Sequence, residues 1–285
     1  MLGFLVLVIF VGWLFSQYYG SPNILWFAVV FSSGTAIFSY WFSDRVVLLM
    51  AGGREEITKE NHPRIFALVE NLTKTAGLPM PKLYLLNETA PNAFATGRSP
   101  KHSVVALTRG LVDRLSEKEL EGVIAHELSH IQNRDMLVST VVVVLAGFIT
   151  ILSDFLMRSL WFGGWGSRRD DRREGNSLLI FFAIAAAILA PLAALLIRLA
   201  ITRKREFLAD SSGAALTKNP EGLAGALVKI SQSSQLLRHA HQATAHLYIE
   251  SPFKSDLRGQ RSSWFVKIFS THPPVEERVA ALLGK

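Results

Sequence analysis

Two patterns of hydrophobicity share this chain, one continuous and one periodic. Charge-free apolar runs fill Leu2–Tyr19, Ile24–Phe42, Met136–Ser153 and Leu178–Ile197. Each is close to the roughly 17 to 25 residues that a helix needs to cross a bilayer, so four transmembrane helices are expected. Between and after these runs the apolar residues become spaced. Ile65, Leu68, Val69, Leu72 and Ala76 fall at helical intervals in His62–Ala76, and Gly77 and Pro79 stop that helix. Three short β-rich runs follow at Lys82–Leu86, Asn92–Thr96 and Ser103–Leu107. Turn-prone Asn87–Pro91 and Gly97–Lys101 separate them, and they are expected to pair as an antiparallel meander. Ser116 with Glu119 reads as a capping box and Leu115 with Leu120 as a hydrophobic staple, so a helix starts at Glu117. Asn219 and Pro220 open another helix, with Leu223, Ala226, Leu227 and Ile230 as its buried stripe. A short terminal helix covers Val275–Leu283, launched by Pro273 and Pro274.

These elements predict a mainly α protein with a small antiparallel β-sheet. Residues 1–43 form a transmembrane hairpin and 44–135 a first cytoplasmic part with the sheet. Residues 136–202 form a second hydrophobic hairpin, and 203–285 return to the cytoplasmic domain. Its sidedness follows from charge. The tight connection Gly20–Asn23 has no Lys or Arg, whereas the second block exits into Asp44, Arg45 and Arg54 and the fourth into Arg198, Arg203, Lys204 and Arg205. Positive-inside logic therefore places both polar stretches in the cytoplasm. The connection between blocks three and four, with Arg158, Arg168, Arg169, Arg172 and Arg173, runs against this scheme. Either that loop is translocated against the bias or the pair does not fully span. Both alternatives return the chain to the same face. The first block is expected to be a span and not a signal peptide, because it lacks a basic n-region and meets no small-x-small cleavage site before Tyr18 and Tyr19.

Composition agrees with a membrane protein, since 49% of the residues are hydrophobic. The net charge of +7 comes from dispersed or membrane-flanking Lys and Arg. Without a basic stripe interleaved with aromatics, it points to anionic lipid headgroups and away from nucleic acid. The absence of cysteine excludes disulfides and thiolate metal sites.

Against this background, His126-Glu127-Leu128-Ser129-His130 stands out. Two imidazoles four residues apart share one helix face and can clasp one metal ion, and Glu127 is placed to take a proton from attacking water. A catalytic zinc usually takes three protein ligands, so a third must come from elsewhere. Glu206 is the candidate, because it lies just past the fourth apolar block as the motif lies just before the third. A helical hairpin of those blocks would carry it to the histidines. Asp210, one turn on, is placed to accept the free ring N–H of a ligand histidine.

The ordered set Asn92-Ala93-Phe94-Ala95, His126-Glu127-x-x-His130 with Arg134-Asp135, Glu206-x-x-x-Asp210 and Ser270-Thr271-His272-Pro273-Pro274 with Arg278 closely resembles the bacterial HtpX membrane metalloproteases. These are relatives of the CaaX prenyl proteases and share the gluzincin ligand pattern. The likeness covers nearly the whole chain. It implies a gluzincin-like cytoplasmic protease domain and a zinc endopeptidase of the bacterial inner membrane. It further implies one Zn2+ ion and a role in quality control of misfolded membrane proteins under stress. The expected partners are protein substrates, themselves membrane proteins, and the bilayer.

Within that reading, the Asn92–Ala95 segment is the candidate edge that would receive substrate as an added strand, with Asn92, Ala93 and Phe94 as the substrate-binding residues. His272 would donate to the developing oxyanion, and Arg278 would pair with Asp210. His239, His241 and His246 have no companion carboxylate at metal spacing, and Asp154 reads as an interfacial charge. Three other classes compete: a CaaX-type processing protease, a non-catalytic zinc-stabilised membrane scaffold, and a transporter. A structural zinc prefers four closed ligands, often sulfur, and a transporter would want charged groups or broken helices at mid-membrane.

Overall fold

The computed structural model describes residues 2–52, 54–136, 203–233, 248–249 and 272–284. The third and fourth apolar blocks after Met136, the arginine-rich loop between them, Asp154, and His239, His241 and His246 lie outside these residues. The described residues fall into two units, one up to Phe42 and the other from Ser43 onward.

In the first unit, the two leading apolar blocks are helices. Helix α1 spans Leu2–Tyr19 and α2 Pro22–Met50. Gly20, at φ 63°, reverses the chain between them, a conformation that costs glycine little. Ser16 closes the turn by donating its hydroxyl to the Ser21 carbonyl at 3.0 Å. The helices meet through small residues: a methyl added at Gly12 would lie 2.3 Å from the Ala28 Cβ. Trp26, Phe27 and Val30 on α2 are exposed, an apolar surface of the kind that lipid covers. Among the described residues, Pro22–Phe42 is the stretch long and apolar enough to cross a membrane.

The second unit holds a four-stranded sheet with helices packed on it. Its strands are β1 Arg54–Glu56, β2 Lys82–Leu86, β3 Ala93–Gly97 and β4 Ser103–Thr108, in the order β1-β2-β4-β3. The expected antiparallel meander is not what forms. The sheet is mixed: β2 pairs with β4 in parallel, Lys82 opposite Val104, while β3 turns back antiparallel on the far side of β4. Burial alone does not set this order: β4 has a partner on each side and is buried along its whole length, but β3 is buried as fully although it ends the sheet, and β2 is interior although Lys82 stays in solvent. Local runs identify strands without naming their neighbours. The three-residue β1, charged throughout, was too short and polar to be expected.

The helices start and stop where their end residues dictate. Helix α3, Pro63–Ala76, has proline in its first turn and ends on Gly77 at φ 65°. A short α4 covers Arg109–Arg114, capped by the Thr108 hydroxyl, which accepts from the Leu111 N–H at 3.2 Å. The motif helix α5 runs Glu117–Gln132, as the capping signal predicts. Its cap is closed by glutamate: the Glu119 carboxylate accepts from both the Ser116 N–H and the Ser116 hydroxyl, each at 2.8 Å. Residues 203–217 form α6, and Asn219 caps α7, Pro220–Gln232, by accepting from the Gly222 N–H at 3.2 Å. The chain closes with α8, Val275–Leu283.

Helix α5 is the centre of the unit. Leu120, Val123, Ile124, Leu128 and Ile131 join the core with Val105 and Leu107 of the sheet and Leu223, Leu227 and Ile230 of α7. Leu115 and Leu120, the predicted staple, both belong to this core. Two glycines let α5 and α7 touch backbone to backbone. A Cβ at Gly122 would lie 2.7 Å from the Leu223 nitrogen, and one at Gly222 would lie 2.6 Å from the Lys118 carbonyl.

Candidate active site

Helical spacing alone puts His126 and His130 on one face of α5, and their Nε2 atoms point at each other across 3.2 Å. Helix α6 brings the third group. Its backbone passes α5 at Gly213, where a Cβ would lie 2.9 Å from the His126 nitrogen and 3.1 Å from its Cα. Two turns earlier on α6, Glu206 presents its carboxylate 3.5 Å from His130 Nε2 and 3.9 Å from His126 Nε2. These three ligand atoms lie within 4.8 Å of one another.

The spacing suits a tetrahedral zinc, whose ligands at roughly 2.0–2.1 Å stand about 3.3 Å apart. Further support comes from buried polar atoms. Glu127 Oε2 and His272 Nε2 are buried without a hydrogen-bond partner among the described residues, a costly arrangement unless each meets a polar group when the site is filled. The donor set is hard and nitrogen-rich with no sulfur, three ligands and a neighbouring base, so the residues fit a catalytic zinc better than a structural one.

Each ligand is steered from behind. Asp210 Oδ1 lies 2.9 Å from His126 Nδ1, leaving Nε2 for the ion. Arg278, fully buried, donates from Nε to Asp210 Oδ2 at 2.8 Å and from Nη2 to Oδ1 at 2.6 Å. Its Nη1 also lies 3.3 Å from Glu206 Oε2. His130 is steered by a residue that sequence reasoning gave no role. Helix α5 stops after Gln132, and Arg134, at φ 58°, turns the chain back. Asp135 thereby comes within 3.2 Å of His130 Nδ1, and Arg205 at the start of α6 pairs with the other Asp135 oxygen. The signal available was the Arg134-Asp135 pair beside the motif, five residues past His130 and just beyond the helix end.

The electrostatics sort the groups by role. Burial lowers the His126 pKa in spite of Asp210, which favours the neutral imidazole that a metal needs. Burial also pulls down on His130, but Asp135 and Glu206 outweigh it and hold the ring up at about 10. Burial alone would raise Glu206; His272 and Arg278 keep it well below the usual range, so it stays ionised. The same contest at Asp210 is won by Arg278. Glu127 differs: burial pushes its carboxyl up to about 7, against the opposing charge of His130. A carboxyl raised in this way by burial is one that can both accept and return a proton.

Of the other predicted residues, His272 sits beside the site, its Nδ1 3.0 Å from Glu206 Oε2. Asn92, Ala93 and Phe94 belong to the terminal side of the sheet, and α5 packs against β3. Asn92 turns its side-chain oxygen back onto the Ala93 N–H at 3.1 Å. β3 ends the sheet but is buried along its length, so its outer rim is not an open one. Tyr248 and Ile249, which the sequence did not single out, lie against that rim.

The comparisons with known proteins identify the family. A model of peptidase family M48 matches residues 59–285. A protease HtpX homolog of Tropheryma whipplei (strain Twist) is 43% identical over 286 residues, covering 98% of this chain and 93% of the relative. One from Pyrococcus furiosus is 48% identical over 247 residues, covering 86% and 81%. The crystal structure of S. mikatae Ste24p superposes with a TM-score of 0.57 at 19% identity, over 97% of this chain and 62% of that one, which is a likeness of fold. With the extent of the family match and two near-full-length relatives above 40% identity, the chain belongs to peptidase family M48 and is a metalloprotease.

Proposed function

We propose that this protein is an integral-membrane zinc endopeptidase of the bacterial inner membrane that hydrolyses misfolded membrane proteins at the cytoplasmic side. One observation carries the reading: His126, His130 and Glu206 converge from two helices with Glu127 buried beside them. His126, His130 and Glu206 would hold the zinc, which would supply Lewis acidity to the scissile carbonyl and the attacking water. The rest falls to the chain. Glu127 takes the proton of the water as its oxygen bonds to the scissile carbonyl carbon, and then passes that proton to the amide nitrogen, so that the C–N bond breaks as the tetrahedral adduct collapses. His272, whose buried Nε2 has no hydrogen-bond partner among the described residues, would donate to the oxygen that gains charge. Asp210 and Asp135 hold the two imidazoles in the tautomer that offers Nε2. An extended substrate pairs with the outer rim of β3, where main-chain bonds serve any sequence.

Three converging donors among the described residues also argue against a purely structural zinc, which would close with four. The multi-pass arrangement and the cytoplasmic active site rest on the charge pattern at the block ends. The test is cleavage of casein and of an unfolded membrane protein by the detergent-solubilised enzyme. Chelation should abolish both cleavages and zinc should restore them. Chelator-resistant cleavage would defeat the proposal.

A further inference from the structure

In an antiparallel ladder, backbone groups point alternately toward the partner strand and away from it. Asn92 sends its carbonyl to β4, accepting from the Thr108 N–H at 3.0 Å. The groups of Ala93 and Ala95 therefore face the outer rim, which is where a substrate strand would bind. The Ala95 backbone amide also hydrogen-bonds the Glu127 carboxylate, and α5 packs against β3, so this rim adjoins the site.

That rim is engaged by the chain itself. Tyr248 lies antiparallel opposite Phe94, and the Ile249 N–H donates to the Ala93 carbonyl at 2.9 Å. The Ile249 carbonyl accepts from Arg278 Nη1 at 3.0 Å, the same guanidinium nitrogen that stands 3.3 Å from the Glu206 carboxylate. Tyr248 packs edge-on against Phe94, ring centroids 5.1 Å apart. Both backbone groups of Ile249 are thus held by partners fixed at the site, one on the sheet rim and one on the arginine beside a metal ligand. An extended peptide paired to β3 at Ala93 would need the same place.

We propose that Tyr248-Ile249 is a self-held strand that occupies the substrate rung of β3 and must leave it before a peptide can bind. The inference rests on the reading of β3 as the substrate edge. It makes the competent state a fraction of the enzyme, so the apparent affinity for peptide is reduced by that fraction.

The natural absence of cysteine gives a clean test. Residues directly opposite in a non-hydrogen-bonded antiparallel pair have Cα atoms about 4.5 Å apart, within disulfide reach. Phe94→Cys with Tyr248→Cys should therefore crosslink on oxidation and pin the strand in place. With the crosslink verified by mass and zinc content unchanged, the oxidised enzyme should lose at least about tenfold in kcat/KM on a short peptide, and a non-chelating phosphine reductant should restore it. The parent enzyme, carried through the same oxidation and reduction, should not change. Equal rates in the crosslinked and reduced forms overturn the proposal. If the reduced double variant is itself inactive, Tyr248→Ala decides. Loosening the strand should lower KM for the peptide about three- to tenfold, whereas an unchanged or raised KM overturns the idea. Failure of the metalloprotease reading would show separately, as chelator-insensitive or absent cleavage by the parent enzyme.

Discussion

Gly213→Ala separates the two forces that set the position of α6. In a free helix the change should stabilise by about 1 kcal/mol, because alanine is the better helix former. Here the added Cβ would stand 2.9, 3.1 and 3.2 Å from backbone atoms of His126 and Ala125, where ordinary contact begins near 3.4 Å. Helix α6 must back away by about 0.5 Å, since the atoms it meets are backbone and cannot rotate aside. Overpacking of this kind costs about 1–3 kcal/mol, so it cancels or exceeds the propensity gain. The metal site is less forgiving. Glu206 sits seven residues earlier on the same helix, and ligand distances tolerate only about 0.2 Å. The expected result is a zinc affinity lower by at least about tenfold, near 1.4 kcal/mol, with a thermal midpoint of the metal-free protein that is unchanged or lower. Competition against a chromophoric chelator reads the first and thermal unfolding in detergent the second. A raised midpoint with unaltered zinc affinity would refute the argument that backbone contact at Gly213 registers the third ligand.

Three further outcomes follow from the same geometry. Asp135→Asn should keep the fold but lower zinc affinity about 10- to 100-fold, by loosening His130, and dialysis against buffered zinc measures it. Arg278→Leu leaves Asp210 buried beside His126 without its charge partner, which should destabilise by about 3–5 kcal/mol; a midpoint shift of less than a degree would contradict this. The third concerns pH. The His130 pKa is raised above its unfolded value of 6.5 to about 10 in the metal-free protein. Its stabilising contribution is therefore complete below 6.5 and is lost as pH climbs to about 10, while zinc, which must displace that proton, binds more tightly over the same interval. Unfolding of metal-free and zinc-loaded protein between pH 7 and 10 should thus diverge, the gap widening with pH; parallel curves would count against it.

Much of this fold is written in local chemistry. Ser116 and Glu119 announce the start of α5, Gly77 the end of α3, and Asn219-Pro220 the start of α7, because caps act within a few residues of themselves. The convergence of Glu206 on the two histidines was readable too, since helix ends on either side of a hydrophobic pair point to neighbours. The order of strands was not. It turns on pairing between strands distant in sequence, and only the assembled sheet decides that β4 lies between β2 and β3. Gly122, Gly213 and Gly222 carry no local signal of their role, which exists only where a partner backbone passes close by. Asp135 was visible but mute, because its role depends on the left-handed turn at Arg134. Tyr248-Ile249 gave no signal, since its contacts with Phe94 and Arg278 span long sequence separations.

The central claim is that one zinc is clamped by His126, His130 and Glu206 while Glu127 moves the proton. Bound zinc per protein and casein cleavage, measured side by side in the parent, Glu127→Gln and Glu206→Ala enzymes, test it most directly. Glu127→Gln should retain about one zinc and lose at least about a hundredfold in kcat, and Glu206→Ala should lose both metal and activity. Cleavage at the parent rate by Glu127→Gln, or full zinc retention by Glu206→Ala, would contradict the account.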